Sequence, residues 1–347
     1  MSQLFFRVGA LVSALAVGAV ALFSLNLMAG ARVVKEPFKG SCAPVSGIAG
    51  PEDMQIDAHS RRVFIASYDR QSSEAKERGG VFVFSIDDPL ADGAWRDRTG
   101  GAPASFEPVG LSLYDDGAVR RLFVANAAAR SVELYDVEPN GDLRYLETFS
   151  ERRLTSPSDI VAVGPRAFYV TNDLDPGRDS LLGAAQYLFR AASGRVMLFD
   201  GVAWRVAAEG LRFASGIATS LDGKRVYVTE TAGAALKVYD RDIGVGNLTL
   251  ASSIPLAAAA DNINIDPTGT LWIGAQPKTL FSPARKGSKA GSIVFGYDDL
   301  GDLPSRPRAI FTDSGEKIAG ATVAARLGRA LLIGSPAEKK FQLCEVS

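Results

Sequence analysis

From residue 51 onward the apolar positions come in short runs that alternate with polar ones, and almost nowhere do they fall at helical spacing. This is a strand pattern. One unit can be read six times: small or acidic residues, a short apolar run, a turn rich in Asp and Gly, a second apolar run, then a third ending near an acidic residue. The first copy is Met54-Gln55-Ile56, Arg62-Val63-Phe64-Ile65 and Val81-Phe82-Val83-Phe84, and the last is Thr322-Val323-Ala324, Leu331-Leu332-Ile333 and Phe341-Gln342-Leu343-Cys344. Phe64, Phe123, Tyr169, Tyr227, Trp272 and Leu332 mark the middle of the second run in successive copies. Their spacing of roughly 45 to 60 residues, with three or four strands per unit, predicts an all-β, six-bladed β-propeller over 32–347.

A ring of blades closes only if its last blade leaves no open edge. The segment near residues 36 to 48 is available to complete the sheet built from residues 322 to 346, and this sets Cys42 beside Cys344. The two cysteines are then either a bridge across the closure or separate buried thiols. A bridge implies an oxidising compartment.

Before the repeats, Val8 to Gly30 carries no charged residue, which is long enough to span a hydrocarbon core as a helix. Ala29-Gly30-Ala31 resembles a small-residue cleavage site. Residues 1–31 therefore read as a signal peptide or a hydrophobic anchor helix. The flanking charges oppose export, since Arg7 precedes the segment while Arg32, Lys35 and Lys39 follow it. The candidate bridge favours it. The expected location is extracytoplasmic, membrane-anchored or secreted.

The 38 Lys and Arg against 39 Asp and Glu give a formal charge of -1, so no basic surface for nucleic acid is expected. The acids matter by position instead. In a propeller the first strand of each blade lines the central tunnel, and the residues opening those strands gather at one mouth. Round the ring they are Glu52-Asp53, Val109-Gly110, Ser158-Asp159, Ser215-Gly216, Asp261-Asn262 and Gly320-Ala321. Carboxylates crowded there repel unless protonated or bridged by a cation. All the donors are oxygens, and the chain's single histidine, His59, falls in a turn. Calcium suits that donor set, whereas zinc does not.

Several stretches resemble the paraoxonase and arylesterase family of calcium-dependent six-bladed propellers, and more distantly the SMP-30 and gluconolactonase group. They are Gly50-Pro51-Glu52-Asp53, Ser105-Phe106-Glu107-Pro108, Asp159 to Pro165, Thr171-Asn172-Asp173, Ala208-Glu209-Gly210 with Phe213-Ala214, Asp261-Asn262-Ile263, and Leu332-Ile333-Gly334. The resemblance implies a terminal disulfide at Cys42 and Cys344, and two calcium ions in the tunnel. A catalytic ion would be held by Glu52, Asp261 and Asn262 with positions Ser158 and Ser215. A deeper structural ion would take Asp53, Asp159 and the carbonyl of Leu111.

The departures are as informative. Ser158 and Ser215 stand where the family has asparagines, and Val109 and Ala127 stand where it has its histidine pair, so no histidine dyad exists here. Any base would be a carboxylate, Glu52 or Asp261, acting on an ester or lactone polarised by the ion. The rival reading is a propeller that keeps calcium for structure and serves as a binding module; a third is a sugar-lactonase-like enzyme using another divalent ion. Between Asp173 and Gly194, Leu181, Leu182, Ala185, Leu188 and Phe189 share a helical face, as a lid, a membrane contact or packing on the propeller.

Overall fold

A computed structural model of the chain describes residues 38–70, 78–90, 96–178, 180–277, 290–299, 301 and 305–346. The predicted signal peptide or anchor over 1–31 lies outside these residues. Among the described residues, no helix is long and apolar enough to cross a membrane.

The described strands form six sheets in chain order, as the repeat predicts. Their innermost strands are Pro51–Asp57, Pro108–Asp115, Pro157–Ala162, Ala214–Thr219, Ala258–Ile265 and Val323–Leu327. Each touches the next in that order and the last touches the first, so the ring is closed. Central strands are apolar on both faces because each blade is packed between two others. A separate buried cluster fills every interface: Phe64, Leu111, Leu122 and Tyr135 lie between blades 1 and 2, and Phe123, Phe149, Phe168 and Phe199 between blades 2 and 3.

Closure is made by strand Gly40–Ser46, which pairs antiparallel with Lys340–Val346 at the outside of blade 6. The register sets Cys42 opposite Cys344, and their sulfurs are bonded at 2.01 Å. The bridge thus joins the first described strand to the last. It adds a covalent staple to a ring otherwise held shut by this strand pairing and the buried cluster between blades 6 and 1.

Five innermost strands break register near their start, between Pro51 and Asp53, Pro108 and Gly110, Pro157 and Ile160, Ala214 and Ile217, and Ala260 and Ile263. A regular strand would send consecutive side chains to opposite faces, whereas a bulge re-aims them. These irregularities fall on the candidate site residues.

The insertion in blade 3 contains a short helix, α1 (Leu181–Leu188), with Ser180 as its N-cap accepting the Gly183 N–H at 2.8 Å. Its apolar face is turned outward: Leu181 is 93% exposed and Phe189 76%. Inward contact is made by Tyr187, whose ring meets that of Phe213 edge-on at 4.9 Å. The expected stripe therefore does not pack on the propeller.

Candidate active site at the tunnel mouth

The bulged strand starts bring the predicted acids together in two layers. In the inner layer Asp53 Oδ1 accepts from the Met54 N–H at 2.8 Å and Oδ2 from the Leu111 N–H at 2.7 Å. Asp159 repeats the arrangement two blades on, with Oδ1 accepting from Ile160 at 2.8 Å and Oδ2 from Ile217 at 2.8 Å. Each aspartate thus satisfies an N–H of its own blade and one of the next. Both are buried, and neither makes an ion pair among the described residues. Burial pushes Asp53 up to about 7 and raises Asp159 well above its ordinary range; the charges of Glu52 and Asp261 lift Asp53 further, and those of Asp53 and Asp261 lift Asp159.

The outer layer holds Glu52 and Asp261. Thr322 Oγ1 and Asn262 Nδ2 both donate to the Glu52 carbonyl, at 2.9 and 3.0 Å, which pins this residue across blades 1, 5 and 6. The Thr229 hydroxyl donates to the Asp261 carbonyl at 2.6 Å, and the Thr231 hydroxyl to Ser215 Oγ at 2.9 Å. Close approach of the strands requires small residues. A Cβ on Gly216 would lie 2.3 Å from the Asp261 carbonyl oxygen, and one on Gly110 would lie 2.6 Å from the Asp159 Cα.

Two arginines enter this layer. Arg70, just beyond the second strand of blade 1, places Nη2 2.7 Å from Glu52 Oε2 and Nε 2.9 Å from Glu107 Oε1. Arg178, just before α1, donates through Nε and Nη2 to the buried carboxylate of Asp173, and through Nη2 to Ser158 Oγ at 3.2 Å. Its guanidinium carbon sits 5.4 Å from the Phe213 ring centre. Burial opposes the Arg178 charge, but Asp173, Glu52 and Asp261 outweigh it and hold the group above its ordinary pKa. Burial likewise raises Glu52 to about 7 and lifts Asp261. Glu52 Oε2 faces Arg70 without alignment for a hydrogen bond, and among the described residues it has no hydrogen-bond partner.

The sequence reading placed Glu52, Asp53, Leu111, Ser158, Asp159, Ser215, Asp261 and Asn262 round one mouth. Mutual electrostatic influence links Glu52, Asp53, Asp159 and Asp261 there. Leu111 is tied to Asp53 by its N–H. Val109 is buried in the interface of blades 2 and 3, with Ala127 packed against it, and His59 is exposed in a turn at the opposite end of the strand that carries Glu52. Arg70, Glu107, Asp173 and Arg178 were missed as site residues. An arginine in a loop carries no periodicity to betray where it points.

Residues 49–346 match the arylesterase family model. The chain belongs to the arylesterase family. It is 34% identical over 253 residues to human serum paraoxonase/arylesterase 1, covering 70% of this chain and 69% of that protein. Among solved structures, a putative gluconolactonase superposes with a TM-score of 0.58 at 16% identity, covering 90% of this chain and 93% of the other. The calcium-binding protein regucalcin from Agrobacterium tumefaciens does so with a TM-score of 0.52 at 15% identity, covering 89% and 95%. These last two likenesses show the propeller fold.

Whether this arylesterase-family mouth suits metal ions differs by layer. Among the described residues no group of three or more His, Cys, Asp or Glu side chains is disposed to hold an ion unaided. The inner pair fits calcium nonetheless: two buried carboxylates with spare lone pairs and, among the described residues, no ammonium or guanidinium bonded to them. The outer acids already face guanidinium groups.

Proposed function

We propose that the tunnel mouth hydrolyses a carboxylic ester or lactone, with Glu52 as the proton acceptor. The observation that carries this reading is the Glu52 carboxylate, buried at the mouth, whose Oε2 is ion-paired with Arg70 at 2.7 Å but has no hydrogen-bond partner among the described residues, and whose pKa burial moves to about 7 against the pull of that arginine. A base poised near neutrality is suited to taking a proton from water. Membership of the arylesterase family, and the names of the paraoxonase/arylesterase and gluconolactonase relatives, support the substrate class.

In this reading Glu52 removes a proton from water as the water oxygen bonds to the acyl carbon. The carbonyl oxygen gains negative charge, which guanidinium N–H groups of Arg70 and Arg178 are placed to meet. The C–O bond to the alcohol then breaks, and the proton on Glu52 passes to the departing oxygen. Asp261, the second outer carboxylate, keeps the two arginines oriented and is the alternative base. Asp53 and Asp159 would hold calcium with the Leu111 carbonyl, and when bound the ion neutralises their buried charge and fixes blades 1 to 4 around the mouth. That regucalcin, a propeller of the same fold, is a calcium-binding protein supports that choice of ion.

The same reading takes the protein to be exported, either anchored in a membrane through residues 1–31 or secreted. The Cys42–Cys344 bridge supports an oxidising compartment.

The test is a panel of phenyl acetate and aliphatic lactones, with and without chelator. Turnover that is lost on chelation, and lost in Glu52→Gln with calcium still bound, bears the proposal out. Absence of turnover on every substrate, while chelation lowers the melting temperature, makes the chain a calcium-stabilised binding module instead.

A further inference from the structure

The two layers of the mouth meet their negative charge by different means. Asp53 and Asp159 receive only backbone N–H groups, namely Met54, Leu111, Ile160 and Ile217. Four N–H dipoles soften two buried charges but do not cancel them, so among the described residues this layer has no cation bonded to it. The outer layer carries its own. Arg178 is seated by Asp173 beneath and Phe213 on its face, and it reaches Ser158; Arg70 spans Glu52 and Glu107.

The two hydroxyl oxygens an outer ion would need are also in use. Ser158 Oγ accepts from Arg178 and Ser215 Oγ accepts from Thr231. A serine hydroxyl is shorter than an asparagine amide, so at positions 158 and 215 it leaves room near the axis. At position 158 the Arg178 guanidinium enters from the rim and reaches the hydroxyl at 3.2 Å. A divalent ion added there would sit against two positive groups while drawing on acids they already engage.

We propose that the guanidinium of Arg178, backed by Arg70, stands as the resident cation of the outer position, so that this chain binds one calcium ion, at Asp53 and Asp159, and not two. The inference rests on the calcium reading of the inner pair and is independent of whether the site hydrolyses anything.

Native mass spectrometry of the full-length chain in detergent, equilibrated with calcium, counts the ions directly. One ion per chain is expected, and none in Asp53→Asn/Asp159→Asn. Arg178→Lys, which keeps the charge, is expected to stay at one ion. Arg70→Ala/Arg178→Ala/Ser158→Asn/Ser215→Asn, which empties the outer layer of cations and restores amide oxygens, is expected to gain a second. Two ions or none on the unaltered chain overturn the proposal, as does a folded fourfold variant that still holds one. If the fourfold variant does not fold, the count on the unaltered chain and its loss in the aspartate variant decide the matter. One ion on a chain inert toward every ester and lactone sinks the hydrolase reading alone; two ions on an active chain sink this inference alone.

Discussion

The carboxylate of Asp159 accepts the backbone N–H of Ile217, 58 residues further on and in the next blade, at 2.8 Å. Asp53 bears the same relation to Leu111, again 58 residues away. Two aspartates thus carry interblade hydrogen bonds and, in the proposed reading, the charge that would bind calcium, and substitutions separate the two roles. Asp159→Ala leaves the Ile217 N–H buried and unpaired, a loss of about 1–3 kcal/mol. Asp159→Asn retains an acceptor and removes the repulsion with Asp53. In chelator the Asn variant is expected to equal or exceed the unaltered protein in urea midpoint while the Ala variant falls below it; with calcium, both fall below. Equal midpoints for Ala and Asn in chelator would show that the interblade bond contributes nothing.

The pH dependence follows from the raised carboxyl groups. Asp53 and Glu52 move from ordinary values of 3.8 and 4.5 to about 7 in the folded chain. Between these limits the folded state binds more protons than the unfolded one, so stability of the calcium-free protein falls as pH rises from about 4 to about 7. Calcium bound as proposed would hold the inner carboxylates ionised and flatten that slope. Thermal melts from pH 4.5 to 8, with chelator and with calcium, read both curves; parallel curves would count against an ion at Asp53.

Glu52→Gln keeps the shape of the side chain and removes its basicity. The expected result is a fall in kcat of about 10²- to 10⁴-fold on whichever ester or lactone is turned over. Circular dichroism and calcium content should be unchanged, since neither inner aspartate is touched. An undiminished kcat would transfer the role of base to Asp261.

Gly216→Ala forces a methyl into the space of the Asp261 carbonyl oxygen, 2.3 Å away, between blades 4 and 5. Overpacking of this kind costs about 1–3 kcal/mol and displaces the Asp261 backbone. Gly100→Ala is the control, because its added carbon meets nothing closer than 3.9 Å. Activity and urea midpoint should drop for the first and stay level for the second.

Removing the bridge with Cys42→Ser/Cys344→Ser opens a loop of 302 residues. The chain-entropy model assigns such a closure about 6 kcal/mol, an upper figure because residual structure in the unfolded chain reduces it. The melting temperature should fall, and reductant should lower the unaltered protein toward the variant without affecting the variant itself. A variant that melts with the unaltered protein would show that strand pairing alone closes the ring.

The architecture could be read from residue order because a propeller is built of local units. Each blade shows its apolar runs within some fifty residues, and repetition six times left little choice of fold. Ring closure by Gly40–Ser46 and the juxtaposition of Cys42 with Cys344 followed from the same reasoning, since an odd edge must be covered. The acids of the mouth were recognisable because they occupy one position of the repeat.

Arg70, Arg178 and the bulges belong to a different order of information. Arg178 lies outside any repeat, and its direction is set by Asp173, Ser158 and Phe213, which come from three separate stretches of chain. The apolar face of α1 was visible as a stripe, but its outward orientation depends on Tyr187 meeting Phe213. Periodicity specifies which residues share a strand or a face, because backbone geometry repeats locally. How charge is balanced where six strands converge depends on side chains reaching in from the rim, and only the assembled ring brings those within bonding distance.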